Sequence, residues 1–297
     1  MTHSHKQHGH HSAHDRHGHT TEHAHERGAH DQALILDLDA RVTAPLTDDV
    51  IAWLPLVGDP REIVDLGAGT GAGTLPLLAR FPEARVTAVD SSAEHLDRLR
   101  AKAREAGVAD RVRTLLADLD QADWPDLGSP DLVWASASLH HMADPDLALR
   151  RTRDLLAPGG LLALVELSGF PRFLPEDAPA ERPGLEEALH AVSDRWHTGH
   201  VPHRGADWAE KLTANGFRVE GERTLTAELE GSGDPMVVEY ALTSLRRLRE
   251  SVVDALVPED LTALDRLLDS GDPGGIAHRD DLTVRTVRSV WAARRSD

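Results

Sequence analysis

Apolar residues in this chain recur in two patterns that alternate from residue 59 onward. Short, mainly apolar runs, Ile63-Val64, Val86 to Val89, Val112 to Leu116, Leu132 to Ala135 and Leu161 to Leu167, read as strands. Between them the apolar positions lie on one face of a helix, as at Leu75, Leu77 and Leu78. Turn chemistry marks the joints. Ser91-x-x-Glu94 has the form of a capping box and Gly107 closes the helix it opens. Asp144-Pro145 supplies an N-cap with proline behind it, and Leu156-Ala157-Pro158-Gly159-Gly160 ends that helix before the fifth strand. Strands alternating with helices predict an α/β protein with a doubly wound, mostly parallel sheet.

On either side of this core the pattern changes. Leu34, Leu38 and Val42, then Val50, Ile51 and Leu54, predict two amphipathic helices over residues 33–58, a cover for either a ligand mouth or the core. After residue 168, Gly184 to Trp196 and Ala206 to Asn215 are helical in spacing, while Phe217 to Leu229 and Thr283 to Ala293 read as strands. Pro235 to Asp269, rich in Leu and Arg, is a helical insertion between those two strands. Residues 1–32 carry eleven of the nineteen histidines and almost nothing apolar, so they are expected to form a disordered tail. The predicted organisation is a tail over 1–32, a helical cover over 33–58 and one domain over 59–297 with an insertion at 235–280.

The first strand ends in a carboxylate and runs into glycine at every second position: Asp65-Leu66-Gly67-Ala68-Gly69-Thr70-Gly71. Strand, glycine turn and helix in that order bring backbone N–H groups up to a ligand. Gly67-x-Gly69-x-x-Ala72 also satisfies the loose dinucleotide pattern, so the loop alone admits two cofactor classes. Asp65 tilts the choice. A carboxylate repels a pyrophosphate and attracts the ammonium and sulfonium of S-adenosylmethionine.

Composition narrows the functions further. The formal charge is −18, with 50 acidic against 32 basic residues, which argues against a duplex nucleic-acid partner. With no cysteine, disulfides, thiolate zinc sites and cysteine nucleophiles are excluded. The longest apolar stretch, Leu161 to Val165, is too short to span a bilayer, and no apolar signal core precedes the histidines, so a cytoplasmic location is expected. The tail histidines form a candidate chelator for Zn, Ni or Cu. His197-x-x-His200-x-x-His203 is a second histidine cluster, but Gly199 and Pro202 break any common helical face, so ordinary loop histidines are the commoner explanation.

Two more acids stand at predicted strand ends. Asp90, 23 positions after Gly67, can accept both ribose hydroxyls of an adenosine cofactor. Asp118 can accept from an adenine amino group while Leu119 packs on the ring. Taken with Leu139-His140-His141 and Leu156-Ala157-Pro158-Gly159-Gly160, these segments resemble, in order and spacing, the motifs of class I S-adenosylmethionine-dependent methyltransferases over about residues 60–168. The resemblance implies a seven-stranded sheet with a reversed last strand. It also implies that Asp65, Gly67, Ala68, Gly69 and Gly71 receive the methionine part of the cofactor, Asp90 the ribose, and Asp118 with Leu119 the adenine, with Ser91, Ala135 and Ser136 as further cofactor-binding positions. Ser91 departs from the family, which often has a larger apolar residue against the adenine.

The reaction so implied is an in-line methyl transfer to a small-molecule O, N or C acceptor, by a monomer or homodimer. Because the donor is already activated, alignment and exclusion of water supply most of the catalysis. A hydroxyl or amine acceptor needs a base, and His140, ahead of His141, is the candidate; the alternative is that both shape the loop after strand four. Trp196, Trp208, Phe170, Phe173 and Tyr240 are candidate walls of the acceptor pocket or core residues. Two other functions remain in view: metal handling through the tail, and an NAD-dependent oxidoreductase.

Overall fold

The computed structural model describes residues 31–201, 203–231 and 233–296, excepting the side chains of 196–200. The histidines of residues 3–30 and the side chains of His197 and His200 therefore lie outside the described residues. Helices occupy residues 31–42 (α1), Ala44–Trp53 (α2), Thr74–Arg80 (α3), Ala93–Glu105 (α4), Pro145–Leu155 (α5), Leu185–His200 (α6), Trp208–Ala214 (α7), Pro235–Val252 (α8) and Pro258–Leu268 (α9). Strands are Glu62–Leu66 (β1), Arg85–Asp90 (β2), Val112–Leu116 (β3), Leu132–Ser136 (β4), Leu161–Leu167 (β5), Phe217–Glu230 (β6) and Thr283–Arg295 (β7). They form one sheet in the order β3-β2-β1-β4-β5-β7-β6, parallel except for the antiparallel β7.

Both faces of the sheet are covered, and strand residues alternate between them. Val64 and Leu66, Val133 and Ala135, Leu162 and Leu164 enter one core with Trp208 and Leu212 of α7. Ile63, Leu132 and Trp134, Leu161 and Ala163 enter the other, with Val50 and Ile51 of α2 and Leu77 and Leu78 of α3. Burial on both faces is why these strands read as mainly apolar runs. The N-terminal helices divide their labour: α2 packs against α3 and β6, while α1 joins a third core with α6, α8 and α9 through Leu38, Leu189, Tyr240, Leu245 and Leu264.

The last two strands outrun their neighbours. Arg288 pairs with Leu167 at the end of β5, so residues 283–287 of β7, paired with 226–230 of β6, project past the carboxyl end of the parallel strands. A single bridge, Arg172 to Arg285, continues the contact beyond β5. This overhang and the third core stand at the edge where a doubly wound sheet places its ligands.

Helix starts follow the acids read from the sequence at Asp144, whose side chain accepts from the Leu147 N–H. At α4 the cap is Ser92 and not Ser91: the Ser92 hydroxyl oxygen accepts from the His95 N–H, because the chain stays extended one residue longer.

Candidate functional site

Three glycines in the turn after β1, Gly67, Gly69 and Gly71, have positive φ, the left-handed region that side chains disfavour. At Gly67 space is also closed, since a Cβ would stand 2.4 Å from the Cβ of Ser138. The Ser138 hydroxyl donates to the Leu66 carbonyl at 2.8 Å, so the turn after β4 locks onto the glycine loop. Ala137, just before it, holds φ 50° without being glycine, a strained backbone of the kind found at functional sites. The Gly67 and Ala68 N–H groups donate to the Val89 carbonyl, and the Gly69 N–H donates to Asp90 Oδ2 at 2.8 Å.

Asp90 is the hub of this loop. Its other oxygen accepts from the Ser92 N–H at 2.8 Å and lies 3.2 Å from His95 Nδ1. Burial pushes the Asp90 carboxyl up, but hydrogen bonds from His95, Ser92 and Gly69 outweigh it and hold the group below the usual carboxylate range. Asp118 is exposed at the end of β3, where the Gln121 side chain and the Asp120 N–H bond its two oxygens and lower its pKa. Leu119 beside it is half-buried, Ser91 is exposed and Ser136 is half-buried.

Two assignments change. Asp65 shares its sheet face with Trp134 and lies under the loop, 2% exposed, with the Thr74 hydroxyl donating to it at 2.6 Å. Burial, with help from the charge of Asp90, pushes its carboxyl up to about 7 against the pull of the Thr74 bonds. Its work is to tie β1 to the start of α3, and its charge does not face an open ligand space. Ala135 is likewise fully buried, its methyl group directed into the sheet core.

Helix α1 covers the loop. Leu36 lies 3.4 Å from where a Gly69 Cβ would be. Asp37 pairs with Lys102 and with Arg98 of α4, and Lys102 also donates to the Thr70 carbonyl at 3.1 Å. Two residues on, Asp39 accepts two bonds from Arg288 at 2.7 and 2.9 Å and one from the Tyr240 hydroxyl at 2.7 Å.

The other half of the site opens past β5. A cavity of about 790 Å³ lies between the β5 exit, α6 and the β7 overhang, lined among others by Ser168, Phe170, Arg172, His190, Arg285 and Thr286. Of the aromatic candidates, Phe170 lines this cavity; Phe173, Trp208 and Tyr240 are core residues, each about 1% exposed, and the side chain of Trp196 is not described. Arg204 lies 3.6 Å over the Phe170 ring, and burial lowers its pKa. His203 is half-buried, and among the described residues no group of three His, Asp or Glu side chains is arranged for a metal.

The two histidines follow β4. His140, 3% exposed, sits in the short 3₁₀ turn Leu139–His141, while His141 is exposed and its ring centroid lies 4.1 Å from that of His140. His140 Nδ1 meets Glu166 Oε2, and its backbone N–H donates to Glu166 Oε1 at 3.3 Å. Glu166 was absent from the residues singled out in the sequence, although it is the one charged residue in the apolar run Leu161 to Leu167 and could have been found by that. Lys102, Ser138 and His95 carried no comparable signal, because each sits in ordinary helix or turn surroundings.

Comparison with known proteins bears on the family and the fold. Residues 64–162 match the family profile described as a methyltransferase domain. Trans-aconitate 2-methyltransferase of Mycolicibacterium gilvum is 33% identical over 245 residues, covering 80% of this chain and 88% of that protein. 27-O-demethylrifamycin SV methyltransferase of Amycolatopsis mediterranei is 36% identical over 140 residues, 47% of this chain and 50% of that one. Among solved structures, a Bacillus halodurans protein described as a methyltransferase shares the fold, with a TM-score of 0.53, 19% identity and coverage of 84% of this chain and 99% of its own.

Proposed function

The chain belongs to the class I S-adenosylmethionine-dependent methyltransferases, and from that premise we propose that it methylates a small organic acceptor held in the cavity past β5. Membership decides between the two cofactor classes that the glycine loop alone left open. In this reading the cofactor follows residues 67–71, Asp90 takes the ribose hydroxyls, and Asp118 and Leu119 meet the adenine. The positive-φ glycines and the acids at the ends of β2 and β3 suit that shape and those donors. Asp65 acts from beneath by fixing the loop. The cofactor, when bound, supplies a methyl group already activated on a sulfonium. This chain's own residues align it: the loop and α1 enclose the donor side, and the β7 overhang with α6 encloses the acceptor.

The observation that carries the reading is the position of the cavity, directly beyond the carboxyl end of β5, the edge of the sheet that also carries the glycine loop. Its charge also bears on the acceptor. Arg172 and Arg285 are set against Glu176, Glu186, Glu187 and Asp194, and Arg172 is already paired with Glu187 at 2.8 Å. An acid-rich lining repels a tricarboxylate such as trans-aconitate. With Phe170, Leu174 and Pro175 in the wall, the cavity suits an acceptor with an apolar body and low negative charge.

The test is calorimetry with S-adenosylhomocysteine, followed by incubation of the protein and methyl-labelled cofactor with a small-metabolite extract. Micromolar binding and transfer of label into a small molecule are expected. Absence of both ends the proposal, and efficient methylation of trans-aconitate ends the acceptor part of it.

A further inference from the structure

Resting on the methyl-transfer reading, we infer that His190 selects the acceptor, donating from Nε2 to a neutral carbonyl oxygen that the acceptor carries apart from the atom it offers for methylation. The lining of the cavity past β5 falls into two parts by exposure. Glu176, Glu187 and Asp194 are exposed, and water screens their charge. Glu186 and His190 are buried, 5% and 4% exposed. The exposed acids act on the net charge of a ligand as it approaches. The buried groups decide which polar atoms it can bring inside.

Those buried groups include nitrogens that nothing in the chain serves. His190 Nε2 and Arg285 Nε belong to lining residues, are closed from solvent and have no hydrogen-bond partner. Arg204 Nη1 is in the same condition, and its guanidinium lies over the ring of Phe170, another lining residue. Three of the eight such side-chain atoms among the described residues therefore gather at one cavity. A buried polar atom left unmet costs free energy, so a cluster of them beside an opening points to what the opening takes. Phe170, whose ring centroid is 6.2 Å from that of His190, supplies apolar surface beside the unmet nitrogen. Histidine χ2 is roughly two-fold, so a half-turn exchanges Nε2 with Cε1 and carries the nitrogen to the other edge of the ring without moving the helix.

The neighbours of His190 set the direction of the bond. Glu186 Oε1 lies 3.9 Å from Nε2, too far for a hydrogen bond but near enough to favour the tautomer with its hydrogen on Nε2. The Glu186 oxygens accept the Phe173 and Leu174 N–H groups at 2.9 Å, which holds the carboxylate where it is. All three unmet nitrogens are then donors. The group that suits them has lone pairs and no hydrogen of its own to place, which is a carbonyl oxygen. A carboxylate oxygen on Nε2 would stand close to Glu186, and like charges repel strongly in a buried setting. A neutral oxygen avoids that repulsion.

The test uses the full chain. Methyl-labelled cofactor and a small-metabolite extract yield a labelled product, whose structure is read by NMR and mass spectrometry. It should carry a carbonyl that is neither a carboxylate nor part of the methylated group. With its unmethylated form as substrate, His190→Phe should raise KM about tenfold or more and leave kcat within about threefold, and His190→Gln, which keeps a donor, should recover part of the loss. A cycle separates recognition from packing. Against the analogue with that carbonyl reduced to a methylene, the wild type should lose about tenfold or more in kcat/KM and His190→Phe less than about twofold. In ¹⁵N-histidine NMR with S-adenosylhomocysteine bound, the acceptor should shift the His190 Nε2 resonance, assigned by its loss in His190→Phe. If neither variant folds, the product structure and a contact between the acceptor and a histidine Nε2–H in the wild-type spectrum decide. A product without such a carbonyl, equal losses on the analogue in wild type and variant, or an unmoved Nε2 resonance each overturns the inference while leaving methyl transfer standing. No transfer of label by the wild type overturns the proposed function, and this inference with it.

Discussion

The glycine loop and the cavity past β5 lie at the same edge of the sheet but are held by different means. The loop is a backbone object: the Gly67 and Ala68 N–H groups reach the Val89 carbonyl, the Gly69 N–H reaches Asp90, and Ser138 closes on Gly67 where no Cβ fits. The cavity is a side-chain object. It gathers Ser168 after β5, His190 from α6 and Arg285 from β7, 117 positions apart at the extremes, around apolar walls. A backbone site tolerates few residue types and serves one ligand shape. A side-chain site can change its contents without changing the fold, which is where a family diversifies its acceptors.

The sharpest way to break this contrast is Gly67→Ala. A positive φ and a contact at 2.4 Å act together, so we expect a loss of about 2–4 kcal/mol in urea unfolding and cofactor binding too weak for calorimetry. Unchanged binding would mean that the loop is less rigid than its backbone bonds imply.

Asp65→Asn should act in the opposite direction, through pH. With its pKa raised from 3.8 to about 7, the folded protein keeps a proton that the unfolded chain has released, so stability falls as pH rises from about 4 to about 7. Three units set an upper bound of roughly 4 kcal/mol on that loss. Asparagine keeps the shape and has no proton to lose. The variant should therefore unfold at a higher temperature than the wild type at pH 8, by an amount worth about 2 kcal/mol, and the gap should shrink toward pH 4. A gap independent of pH would show that Asp65 is not the titrating group.

Asp39→Ala tests the seam between the halves. It removes three hydrogen bonds and leaves the buried Arg288 without its carboxylate, for an expected loss of about 1–2 kcal/mol after allowance for the partial exposure of Asp39. Faster amide exchange in residues 31–42 should accompany it, because α1 would lose its anchor on the acceptor side. The smallest effect is expected from Phe170→Ala. It removes a cavity wall outside the cofactor loop, so the acceptor KM should rise about tenfold, equivalent to roughly 1.4 kcal/mol, with S-adenosylhomocysteine binding unchanged. A matching loss of cofactor affinity would erase the distinction between the two regions.

The same contrast governs what could be read in advance. Residues whose roles follow from a strand end, such as Asp90 and Asp118, stood at those ends in the structure, because a buried run followed by a turn locates its own terminus. Asp65 in β1 and Ala135 in β4 stand inside their strands and face inward, and which of the two covered faces each side chain enters is decided only when the strands pair and the helices pack on them. Phe173, Trp208 and Tyr240 were candidates for the acceptor wall and proved to be core, since aromatic identity does not say which of two apolar environments a side chain enters.

By itself the sequence determined the order of strands and helices, the insertion between the last two strands and the glycine turn, all of which follow from local periodicity and backbone chemistry. Tertiary structure alone decided that α1 is pinned across the loop by Asp37 and Asp39, that the β7 overhang reaches the cavity, and that Glu166 meets His140 from the adjacent strand. Those contacts join residues 26 to 249 positions apart, and no local pattern encodes a pairing that exists only once the sheet has closed.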